Sequence, residues 1–118
     1  MAFDILTYDI QGNEDSFSGF SGGTVYSWYQ TAKELKLYFM MEVLDTAYDE
    51  GIVLNVDKMK ILQKECLILN DYLEESGADR VVTDYDSGRV TRSNFGALDE
   101  FRDIINKALL KQGSIEIG

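Results

Sequence analysis

The chain has 118 residues, with 21 acidic side chains against 11 basic ones, no His, no Pro and a single Cys. The lack of His excludes Ser-His-Asp triads, Cys-His pairs and His-bearing zinc sites, and the lone Cys66 has no internal disulfide partner. A formal net charge of −10 sets the surface against DNA, RNA and anionic membranes, whose phosphates call for Lys and Arg, and in favour of basic proteins.

At 45% apolar and 12% aromatic the composition is that of a globular protein and not of a solvated acidic tail. The length points to one domain over residues 1–118, large enough to build a core without disulfides. The longest apolar run, Leu37 to Met41, falls far short of the ~20 residues of a membrane span. The start of the chain lacks a basic segment, and Asp4 and Asp9 interrupt what would be a signal core, so a cytoplasmic protein is expected. Charge is unevenly spread. Residues 1–51 hold nine acids and two bases, whereas residues 52–118 hold twelve and nine.

In chain order, Phe3 to Ile10 reads as a strand with apolar groups on both faces, expected inside a sheet or covered on both sides. Gln11-Gly12-Asn13 signals a turn, and Glu14 to Gly23, rich in Gly and Ser, reads as a polar loop holding Phe17 and Phe20. From Val25 the period becomes helical, with Val25, Trp28, Ala32, Leu35, Phe39 and Val43 on one stripe that Met40, Leu44 and Ala47 widen. Thr24 is the expected N-cap and Gly51 the stop. The helix over residues 25–50 is long for such a domain, and a bend is expected near Lys36-Leu37, because Leu37 sits off the stripe.

Ile52 to Leu54 reads as an extended connector. Asn55 then caps a second helix, with Leu54 and Met59 spaced as a hydrophobic staple and Met59, Leu62, Cys66, Leu69 and Leu73 on the buried face, ending at Gly77. The β-rich runs Val81 to Tyr85 and Arg89 to Thr91 flank Asp86-Ser87-Gly88 as a hairpin. A third helix is predicted from Ala97 to Gln112, with Leu98, Phe101, Ile105 and Ala108 inward and Gly113 at its end, followed by a strand from Ser114 to Ile117. The predicted class is α+β: three helices on one face of a small, mostly antiparallel sheet, in the order β-α-α-β-β-α-β, with the terminal strands paired.

Several features resemble sites. Gly19 to Thr24 precedes a helix, as a phosphate loop does, but has no lysine, and Glu14 and Asp15 oppose an anion. Asp84-x-Asp86-Ser87-Gly88 resembles a calcium loop, but Gly88 stands one place too early and Phe95 occupies the place of the bidentate Glu, so a hairpin turn is the simpler reading. Cys66, between Leu62 and Leu69, reads as a small buried hydrophobe. No pair of carboxylates stands out by spacing as an acid–base couple, and no cofactor or metal is expected.

The least ordinary feature is a row on the first predicted helix. Glu34, Tyr38, Glu42, Asp45 and Asp49 recur at three- and four-residue steps, and between Glu34 and Glu50 the only base is Lys36. Like charges so placed repel, and a solvated helix ordinarily intersperses lysines. With Glu14, Asp15, Tyr26 and Tyr29 nearby in sequence, these residues make a candidate patch for the Arg and Lys of a basic partner. The bland alternative is an ordinary exposed acidic face.

In size and acidity the chain resembles small bacterial or phage-borne neutralising proteins such as immunity proteins and antidotes, a likeness of composition that transfers no site. The expected function is therefore that of a small acidic, inhibitor-like binding protein that occludes a basic partner surface. Two alternatives stand beside it: a small-ligand binder or enzyme using residues 19–24 for a phosphate-bearing metabolite, and a homo-oligomer subunit in which Leu37, Tyr38 and Met41 leave apolar surface exposed.

Overall fold

A computed structural model describes residues 2–75, 81–83, 90–92 and 94–118. The chain begins with β1 (Ala2–Tyr8) and β2 (Glu14–Ser21), then two helices, α1 (Gly22–Glu34) and α2 (Tyr38–Asp49). After β3 (Ile52–Leu54) comes α3 (Val56–Glu75), the strand pair β4 (Val81–Thr83) and β5 (Val90–Arg92), α4 (Asn94–Leu110) and β6 (Ser114–Ile117). The main sheet runs β2-β1-β6-β3 and is antiparallel throughout, and β4 and β5 form a separate antiparallel pair. The α+β class, the central first strand and the pairing of the terminal strands agree with the reading of the sequence. The predicted turn of the hairpin, Asp84 and Asp86 included, and the predicted stop at Gly77 lie outside the described residues.

Three local expectations are corrected. First, residues 14–21 are a strand and not a loop. Asp9 closes the preceding turn by accepting the backbone N–H of Gln11 and of Asn13 on its carboxylate, each at 2.9 Å, and this returns the chain alongside β1. The register sets Phe20 against Phe3 and Phe17 against Leu6, so Phe20 points inward and Phe17 is left exposed. Second, the N-cap is Ser21 and not Thr24. The Ser21 hydroxyl accepts the Thr24 backbone N–H at 3.2 Å, so the helix starts ahead of both glycines. Third, Ile52 to Leu54 is a strand that pairs with β6.

The largest correction is to the long helix. It does not bend near Lys36 but stops and restarts, so four helices replace the predicted three. The Lys36 N–H bonds the Lys33 carbonyl and the Leu37 N–H the Ala32 carbonyl, the pairing of a Schellman stop, with Lys36 itself at φ 59°. Leu37, off the stripe of a continuous helix, is thereby buried in the core and adds nothing to exposed apolar surface. The side chain of Leu37 cannot cap α2. A carboxylate of α3 does so instead: Glu65 Oε1 accepts the Met40 N–H at 2.9 Å. The expected cap at Asn55 and the staple are both present. Asn55 Oδ1 accepts the Lys58 N–H at 3.0 Å, and Leu54 and Met59 are fully buried. Gly51, at φ 82°, ends α2 as expected.

The helices cover one face of the sheet. Phe3, Ile5, Phe20, Leu54, Ile115 and Ile117 meet Val25, Trp28, Met40, Leu62, Leu69, Leu98 and Ile105 in one core. Phe20, Trp28 and Phe101 link β2, α1 and α4 through ring contacts of 5.4 to 5.9 Å. Cys66 is buried among these residues, as expected, and burial pushes its thiol up to about 12, against the pull of Arg102. The other face carries Phe17, Leu6, Glu116 and Val53 in one cross-strand row, of which Phe17 and Val53 are exposed. Where α4 meets β1, Gly113 has no room for a side chain, because a Cβ there would lie 1.7 Å from the Tyr8 carbonyl oxygen. Among the described residues no helix is long and apolar enough to cross a membrane.

Candidate functional site

The stop at Lys36 decides the site. In one continuous helix the sixteen-residue step from Tyr29 to Asp45 would span about 24 Å. Because the chain turns back, the Tyr29 hydroxyl instead donates to Asp45 Oδ2 at 3.2 Å, and α2 lies beside α1. Partial burial, this bond and the charge of Asp45 all push the Tyr29 phenol above its ordinary value near 10.

Between the two helices lies a cavity of about 460 Å³. From α1 it is lined by Gly22, Gly23, Val25, Tyr26 and Tyr29, from α2 by Leu44, Asp45 and Tyr48, and its base is Phe3 of β1. Asp45 is the one charged side chain among these residues. Tyr26 and Tyr48 stand 61% and 63% exposed, which leaves their rings open to a ligand or a partner.

The acidic row is reorganised rather than kept whole. Tyr38, Glu42, Asp45 and Asp49 all lie on α2, at steps that keep them on one exposed face, opposite the buried Met40, Val43, Leu44 and Ala47. Among the described residues none of these three acids forms an ion pair. The helix has no acid in its first turn and no base in its last, and Asp49, in that last turn, stands at the negative end of its dipole. Glu34 ends α1 and does not belong to this row. Glu14 and Asp15 begin β2, roughly 20 Å of extended strand from α1, and Asp15 is bridged to Lys111. They are therefore too distant to oppose an anion at Gly22 and Gly23. Asp45 does so in their place.

Of the residues the sequence singled out, the fold thus gathers Tyr26, Tyr29, Tyr38, Glu42, Asp45 and Asp49, and separates Glu14, Asp15 and Glu34. Sequence reasoning missed Tyr48. Its signal was there, three residues after Asp45 on the same helix, but it acquires meaning only when α1 faces α2. Comparison with protein-family models, with curated proteins and with solved structures gave no match.

Proposed function

We propose that this protein binds and occludes a basic surface of another protein, and that α2 is the docking element. The observation that carries the reading is the row Glu42, Asp45 and Asp49: exposed, on one helical face, and without a cationic partner among the described residues. Neighbouring carboxylates at these spacings cost a helix a few tenths of a kcal/mol per pair. A row that works against its own helix is accounted for by cations supplied from outside. Tyr26, Tyr38 and Tyr48 add exposed aromatic area of the kind that anchors protein contacts.

The test is association kinetics. A partner recovered from the native cell is immobilised, and the wild type is compared with Glu42→Lys/Asp45→Lys/Asp49→Lys across a salt series. The reversal slows association by roughly tenfold or more at low salt and flattens its salt dependence. Equal rates in the two proteins overturn the reading.

The cavity favours a second reading, that of a small-ligand site, because it incorporates Gly22 and Gly23 from the segment first considered for phosphate. Asp45 within the cavity weighs against an anion there. A thermal-shift panel of nucleotides and sugar phosphates is expected to leave the melting temperature unchanged, and a clear rise would favour this second reading.

A further inference from the structure

We propose that the cavity between α1 and α2 receives one arginine side chain of the partner protein, whose guanidinium pairs with Asp45 against walls of tyrosine. This rests on the reading of α2 as a docking element and names what that element recognises.

Charge complementarity selects the occupant. The cavity offers one carboxylate, no base, and three tyrosine rings, Tyr26 and Tyr29 from one helix and Tyr48 from the other. An apolar pocket with a single negative charge suits a cation that tolerates partial desolvation and stacks on aromatic faces. A guanidinium does both, being planar and more weakly hydrated than an ammonium. Tyr29 occupies Asp45 Oδ2 and so orients the carboxylate, while Oδ1 has no donor among the described residues. A volume of about 460 Å³ is in the range of ligand pockets and accommodates a long side chain. One wall is also free of side chains. At Gly23 nothing lies within 4 Å of where a Cβ would stand, which leaves space for the main chain that carries the arginine. Thr24 gives its amide to Ser21, while the amides of Gly22 and Gly23 lack intrahelical acceptors and can donate to a main-chain carbonyl of the partner. Glu42 and Asp49 flank Asp45 on the same helical face without lining the cavity, and they raise the local concentration of cations.

The full chain, ¹⁵N-labelled, is titrated with the blocked tripeptide acetyl-Gly-Arg-Gly-amide, with its lysine counterpart and with its citrulline counterpart, which keeps the shape and loses the charge. The arginine peptide shifts resonances of residues 22–29 and 44–48 and binds about tenfold or more tighter than the citrulline peptide, as expected for a charge-assisted pair. Asp45→Asn, which keeps the acceptor for Tyr29, removes about tenfold of that affinity, whereas Glu42→Gln/Asp49→Gln changes it by about threefold or less. Equal binding of the arginine and citrulline peptides, shifts confined to other regions, or no loss in Asp45→Asn overturns the proposal. Lysine binding as tightly as arginine overturns the choice of guanidinium. Ethylguanidinium binding as tightly as the tripeptide makes this a site for a free small cation and not for a protein side chain. Failure here is separable from failure of the docking reading. Slower partner association in Glu42→Lys/Asp49→Lys with silent peptides removes only the arginine pocket. Peptide binding with unchanged partner association removes the acidic docking surface.

Discussion

Helices α2 and α4 are both amphipathic, and each carries three acids, yet they use them in opposite ways. On α4, Asp103 pairs with Lys107 at 3.0 Å, Asp99 lies 3.9 Å from Arg102, and Lys107 sits in the last turn, where the helix dipole favours a cation. On α2, Glu42, Asp45 and Asp49 have no such partners among the described residues, and no base closes the helix. Two of the three acids of α4, Glu100 excepted, thus serve its own stability. Those of α2 oppose it, and this contrast supports reading α2 as a surface prepared for another molecule.

The largest expected effect sets the buried face of α4 against the exposed face of α2. Phe101→Ala removes the ring that joins Phe20 and Trp28 and is expected to cost about 3–5 kcal/mol in urea unfolding. Tyr48→Ala, exposed on α2, should stay within about 0.5 kcal/mol. Similar losses at both positions would erase the contrast.

Glu65→Ala removes the borrowed cap and is expected to cost about 1–2 kcal/mol. Amide exchange should quicken at residues 38–41 and stay slow in α4. Uniform acceleration would show that Glu65 holds more than the start of α2.

The third measurement concerns α3, which packs on both helices. The native Cys66 thiol holds its proton up to about 12, while the unfolded thiol gives it up near 9. The folded state therefore binds the extra proton between these values. Its contribution is complete below pH 9 and is lost, at about 1 kcal/mol per pH unit, as pH rises toward 12. Subtracting the pH–stability curve of Cys66→Ala from that of the wild type isolates this slope from tyrosine ionisation. A flat difference would refute it.

The smallest effects sharpen the contrast most directly. Glu42→Gln and Asp49→Asn are each expected to stabilise the protein by a few tenths of a kcal/mol, and Asp103→Asn on α4 to destabilise it by as much. The gain on α2 should shrink with added salt. Loss of stability on both helices would mean that the acids of α2 have internal partners after all.

Much of this molecule was legible in the residue pattern. The stripe Leu98, Phe101, Ile105 and Ala108, the cap at Asn55, the buried Cys66 and the stop at Gly51 are dictated within a few residues, by helical period, a short polar side chain and a residue that accepts positive φ. The strand β2 was hidden because Ser and Gly carry little strand preference. Its conformation comes from pairing with β1, and its only apolar anchor in the core is Phe20. In the candidate site, the acids and tyrosines were visible one by one, but the sequence laid them along one helix bent near Lys36.

Local chemistry by itself determined an acidic α+β domain, its core stripes and the shortage of bases between Lys36 and Lys58. Tertiary structure alone decided that the helix stops at the expected bend and doubles back. A lysine in the left-handed region and an α2 without a local cap are both poor choices for an isolated chain. They hold because Leu37 is buried in the core and Glu65 reaches across from α3. That long-range closure brings Tyr29 to Asp45 and makes the cavity, and contacts between residues so far apart leave no period in the sequence to read.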